Sequence, residues 1–167
     1  MTVYAKTSPI GLDRKIYWIQ NLIEDIGWSD IGVYGKVYIN QKDGLNVAQA
    51  YSGDGEYKEI FIDDRLNAVF GFIPSGTRTG FTVFRNKVRL ICSVNLTKIY
   101  GASERNDEEA IKAVLDAIYE QVSNKAELVV YTDKDDVFRD LSLDRFKHRN
   151  MQPWFNFAIE FNINYKI

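Results

Sequence analysis

The chain has 167 residues, 46% hydrophobic and 26% charged, which is long enough to bury a core, and we expect a single domain over 1–167. A net charge of −2 provides no global basic field of the kind that gathers nucleic acid or anionic membrane, so any DNA contact has to be local. The one cysteine, Cys92, excludes an internal disulfide, and no apolar run approaches the roughly 18 residues needed to cross a bilayer.

The opening MTVYAKTSPIGLDRK lacks an apolar signal core, so the product is expected to be made and folded in a cytoplasm. LDRKIYWIQNLIEDIG then sets Leu12, Ile16, Ile19, Leu22, Ile23 and Ile26 on one stripe, with Gly27 as a stop, which predicts an amphipathic helix. VYGKVYIN and LNVAQAY flank QKDG, and the Asp43–Gly44 pair predicts a hairpin with a polar tip. SGDGEYKEIFIDDRL and NAVFGFIP read as a turn, a short strand and a second short strand or bend. The Gly/Ser/Thr/Pro-rich PSGTRTG then predicts a mobile or partner-ordered loop.

From Val88 to Ile99 the chain alternates, with Val88, Leu90, Cys92, Val94 and Leu96 on one face and Arg89, Ser93, Asn95 and Thr97 on the other. A helix follows, with Asn106 at its N-cap, Glu109 in capping-box position and a stripe of Ile111, Val114, Leu115, Ile118 and Val122. AELVVYT is a short strand, and DKDDVFRDLSLDRFKHRNMQP is a polar connection with room for one helical turn. Every odd position from Phe155 to Ile167 is apolar, which predicts a long strand of roughly 40 Å at about 3.3 Å per residue. The whole order predicts an α+β fold: a mostly antiparallel sheet of about 4–6 strands, two main helices on one face, and long loops near 40–57 and 74–87.

Catalytic signatures are sparse. His148 in RFKHRN has no nucleophile placed for it by sequence, and neither zinc spacing, nor a P-loop, nor a dinucleotide-binding glycine pattern occurs. Carboxylates cluster at Asp54 and Glu56, at Asp63 and Asp64, and at Asp133, Asp135 and Asp136. A metal-dependent, small nuclease-like enzyme would need two or three of them to converge; acidic turns are the plainer reading, because Asp and Gly suit turn geometry. We expect no catalytic residues, no metal and no cofactor. The basic positions Arg145, Lys147 and Arg149, with Arg78, Arg85 and Lys87 in a second segment, are either solvated connections or one rim of positive charge facing an acidic partner or passing DNA.

The run YKEIFIDDRLNAVFGFI, then a loop, then VRLICSVNLTKIYGASERNDEEAIKAVLDAI, a short strand and a terminal strand of alternating aromatics resembles the tail-terminator and tail-completion (neck) proteins of tailed bacteriophages, from about Leu12 to the end. The likeness is one of element order rather than of a signature motif. It implies a non-enzymatic virion structural protein, assembled in the host cytoplasm as a homo-oligomeric ring, with a hexamer favoured. Such a ring joins tail-tube and head-connector proteins around a channel through which DNA passes non-specifically, with no membrane contact. The long 40–57 and 74–87 segments leave a neighbouring neck or adaptor role open. On this reading the end of the last strand, Asn162, Asn164, Tyr165, Lys166 and Ile167, extends the sheet toward an adjacent subunit, and removing residues 164–167 impairs assembly more than folding.

Overall fold

Alternating apolar residues in five long stretches build one extended mixed sheet, crossed by helices. The structure, a computed structural model, describes residues 2–53 and 55–167, and in Thr2 and residues 147–150 the description covers the backbone alone. The strands are β1 (Thr2–Val3), β2 (Ile31–Lys42), β3 (Leu45–Gly53), β4 (Glu56–Glu59), β5 (Ala68–Thr79), β6 (Phe84–Asn95), β7 (Val129–Tyr131) and β8 (Trp154–Tyr165). The α-helices are α1 (Gly11–Glu24), α2 (Leu96–Tyr100), α3 (Asp107–Ile118) and α4 (Lys134–Val137). Seven strands lie in the order β4-β3-β2-β5-β6-β8-β7, and β1 pairs β2 beside them.

The α+β class is as expected, but the sheet is larger than 4–6 strands and is mixed. β2 runs parallel to both β1 and β5, and the other pairings are antiparallel. Parallel pairing joins segments far apart in the chain, here across α1 for β1 and β2 and across β3 and β4 for β2 and β5, and no local turn announces it. β2 serves three neighbours, β1 and β5 along its first half and β3 along its second. Its first half lies against β5 as far as Lys36↔Phe72, a register shift follows Val33, and its second half pairs β3 from Val37↔Ala50 to Lys42↔Leu45. The Asp43–Gly44 turn closes that hairpin with φ of 53° and 76°, the left-handed pair that a two-residue turn requires.

α1 and α3 cover one face. Leu12, Ile16, Ile19 and Ile23 of α1 and Ile111, Val114 and Ile118 of α3 pack on Phe70, Phe72, Leu90, Cys92, Phe157, Ile159 and Phe161. Asn106 sits at the N-cap of α3 as predicted, but its side chain makes no capping hydrogen bond. The second strand of the long pair is shifted by four residues from its expected place: β6 ends at Asn95, whose Oδ1 accepts from Lys98 N at 3.1 Å and starts α2, so Leu96–Ile99 is helical.

The opposite face is also covered. Val137, Phe138, Leu141 and Phe146 pack over Val69, Ile91, Ala158 and Phe61, with Phe138 stacked on Phe146 at 4.5 Å. The segment read as a polar connection is therefore a lid on a second core. Five apolar residues among the ten of 137–146, Leu143 the fifth, hold no single helical or strand period, so their common destination is not visible locally. At Gly71 a Cβ would stand 2.6 Å from Val37 Cγ2 and 2.8 Å from Ile60 Cδ1, so only glycine fits under this layer.

Candidate functional site

The 74–87 segment, expected as a loop, is the distal half of the β5–β6 hairpin. Pairing continues through Arg78↔Asn86 and Thr79↔Arg85, with a register shift between Pro74 and Arg78 that Asn86 stabilises by donating to the carbonyls of Ser75 (3.0 Å) and Thr77 (3.2 Å). Gly80 holds φ at 118° at the turn, where a Cβ would fall 2.0 Å from the Val83 carbonyl oxygen. β2 leaves β5 at Phe72, so among the described residues β5 from Ile73 to Thr79 is paired on one side only. At the tip, Phe81 is 95% exposed and Val83 45%.

The C-terminal residues stand at the base of this arm. Phe84 stacks on Tyr165, 5.9 Å between ring centroids, and Arg85 is in register with Asn164. β8 is paired to β6 along its whole length, from Asn95↔Trp154 to Phe84↔Tyr165. Its other edge meets β7 and then the turn at Ser123, whose N donates to Asn162 O at 2.9 Å and whose Oγ accepts from Asn164 N at 2.7 Å. Of the predicted terminal residues, Asn162 and Tyr165 are buried within the chain itself, and Asn164, Lys166 and Ile167 are exposed. The strand's great length thus has an intramolecular partner at every step, a pairing set by the matching length of β6.

Among the described residues, three of the basic candidates, Arg85, Lys87 and Arg145, are paired with carboxylates. Arg145 forks onto Glu59 (Nε 2.8 Å, Nη2 2.6 Å) and clamps the 3-10 segment Leu143–Asn150 to β4. Arg85 pairs with Glu127, and Lys87 with Glu160 at 3.6 Å. Arg78 has no acidic partner among the described residues. The side chains of Lys147 and Arg149, like that of His148, lie outside the described residues.

One cation escaped the sequence reading as a site residue. Arg85, Lys87 and Arg89 follow at every second position of β6 and so share the sheet's second face. Arg89 is 5% exposed; its Nη2 donates to the Arg139 carbonyl at 3.0 Å, while Nε and Nη1 have no acceptor among the described residues. Burial and then the charge of Arg139 pull its pKa below the ordinary arginine value. A buried donor left unpaired costs about 1–3 kcal/mol. The Arg-x-Lys-x-Arg spacing in a strand was the signal available, but alternation alone assigned Arg89 to a wet face.

A groove of about 730 Å³ lies between α1 and the β2–β4 hairpins, with Tyr4, Tyr17, Tyr38, Tyr51 and Tyr57 along it. Tyr57 meets both Tyr38 and Tyr51 edge-on, at 5.9 and 5.7 Å. Within it Asp13 pairs with Lys36 (2.6 Å) and Lys6 (3.3 Å). Burial would raise this carboxyl, but those two ammonium groups outweigh it and hold the pKa below the usual value.

Two of the acidic candidates are engaged locally. Asp63 accepts from Arg65 and Lys58, and Asp133 caps α4 by accepting from Asp135 N at 2.9 Å. Among the described residues no group of three or more His, Cys, Asp or Glu side chains is placed to hold a metal ion; Asp54 lies outside them. Nor is any helix among them long and apolar enough to cross a membrane. No protein-family model matches the chain, and no curated protein matches it in sequence.

Proposed function

We propose that the chain is a non-enzymatic structural protein of a tailed-bacteriophage virion, a tail terminator or a neck protein of that kind. Copies form a ring at the head–tail junction, hexameric by the resemblance, and hold tail tube to head connector around the DNA channel. The observation that carries the reading is the β5–β6 arm. A phenylalanine 95% exposed at the end of a hairpin with one unpaired edge is an aggregation liability for a solitary protein, and it becomes an asset when a neighbour covers it. Phe81, Val83 and the exposed Ile167 stand at one end of the sheet, so a single head-to-tail contact repeated about an axis reaches all three. Arg78, without an acidic partner among the described residues, adds positive charge to the same arm for DNA or an acidic neighbour.

Native mass spectrometry of the purified protein, with electron microscopy of particles, tests the proposal. The wild-type chain is expected as a closed ring, and Phe81→Ser as a folded monomer with an unchanged melting temperature. A wild-type chain that stays monomeric at high concentration and is absent from particles overturns the reading.

A further inference from the structure

One chain carries both a knob and a hole. The knob is the tip of the β5–β6 arm, where Phe81 and Val83 are exposed and Arg78, also exposed, has no acidic partner among the described residues. The hole is the groove of about 730 Å³ between α1 and the β2–β4 hairpins. Tyr57, edge-on to both Tyr38 and Tyr51, builds with them an aromatic wall in which each ring is at least 40% exposed. At Gly35 and Gly53 the lining is bare backbone, and a Cβ at either would meet nothing nearer than 3.8 Å, so the hollow is open. Beyond Lys36↔Phe72 β2 and β5 part, which leaves the groove and the arm on separate hairpins; no described arm residue lines the groove. Glu56, next to Tyr57 and in register with Gly53, stands at the groove's edge. It is exposed and makes no ion pair among the described residues.

We propose that the arm tip of one copy docks in the tyrosine groove of the next, with Phe81 packed among Tyr38, Tyr51 and Tyr57 and Arg78 paired with Glu56. The occupant is a second copy of this chain because its own surface supplies the complement: an exposed aromatic beside a free cation on the projection, open tyrosine faces beside a free carboxylate around the hollow. Phe81 adds a further ring to an edge-to-face cluster, the arrangement aromatic side chains favour, and a guanidinium arriving with it is attracted to tyrosine faces as well as to Glu56. Knob and hole are different surfaces, so the contact is head-to-tail, and its repetition closes a ring where the rotation allows. A single such contact is weak, and ring closure makes it persistent. The contact presupposes the ring and adds to it the surface that receives the arm.

Native mass spectrometry of the full-length protein tests the contact with variants at exposed positions. Phe81→Ser removes the knob and Tyr57→Glu spoils the hole, and each alone is expected as a monomer with the wild-type melting temperature. Mixed at high concentration, the two should form a one-to-one heterodimer and nothing larger, since one intact arm and one intact groove remain between them. Arg78→Glu and Glu56→Arg should each weaken self-association by about three- to tenfold, and the two together in one chain should restore it. If Tyr57→Glu fails to fold, Tyr38→Glu replaces it and the charge exchange still decides. A ring that persists in both groove variants overturns the contact, leaves the ring standing and gives the groove to an occupant other than this chain. Mixed variants that stay apart, or a charge exchange without rescue, overturn the contact in the same way. A wild-type chain that stays monomeric overturns contact and ring together.

Discussion

Asp63 accepts hydrogen bonds from Arg65 N at 3.1 Å, Arg65 Nε at 2.9 Å, Arg65 Nη2 at 2.8 Å and Lys58 Nζ at 3.2 Å. The Arg65 side chain is the largest influence, and against the opposing pull of burial it holds the carboxyl well below the usual carboxylate range. A depressed folded-state pKa means that the folded chain favours the ionised form. The stabilisation is present above the unfolded value of about 3.9 and is lost as pH falls through the lower, folded value. Melting temperature should therefore decline on acidification below about pH 4, and Asp63→Asn should remove part of that decline while lowering stability near neutrality. Equal slopes for the two proteins would show that the clasp contributes nothing. Arg65 is largely exposed, so solvent screening keeps the effect modest. The same residue illustrates what a sequence hides: IDDR reads as an acidic turn, and only the structure shows that Arg65 and Lys58 are cations that Asp63 meets.

The terminal strand was legible as an element, because its period of two survives for thirteen residues, and its apolar face does pack beneath α1 and α3. Its termination was not. Tyr165 is 4% exposed, it lies against Gly11 at the start of α1, and Phe84 stacks on it. Removing residues 164–167 therefore takes a core aromatic away. We expect a loss of about 3 kcal/mol in the isolated chain, measurable by urea unfolding, the scale of truncating a buried aromatic side chain. Removal of Lys166 and Ile167 alone, both exposed, should leave stability within about 0.5 kcal/mol. The arm of residues 74–87 failed to read as strand for a related reason: Pro, Ser, Gly and Thr carry little strand preference, and their pairing is imposed by β6, which is itself held by β8.

At the scale of the whole molecule, the sheet has a core on each face, one under α1 and α3 and one under the lid of residues 137–146. Neighbouring residues of the same strands feed both: Phe70 the first and Val69 the second, Leu90 and Ile91 likewise, Ile159 and Ala158 likewise. Neither core can be lost without disordering strands that the other needs. Calorimetry of the isolated chain should show one cooperative transition, with near-ultraviolet and far-ultraviolet signals coincident; two resolved transitions would mean that the lid unfolds separately. By itself the sequence determined the α+β class, the stripes of α1 and α3, the Asp43–Gly44 turn and the existence of the terminal long strand, all of which depend on periodicity or on turn chemistry within a few residues. Tertiary structure alone decided the parallel pairing of β2 with β5, the second core, the internal closure of the terminal strand and the burial of Arg89. Each of these depends on which distant segments meet, and side-chain order along one strand carries no record of that.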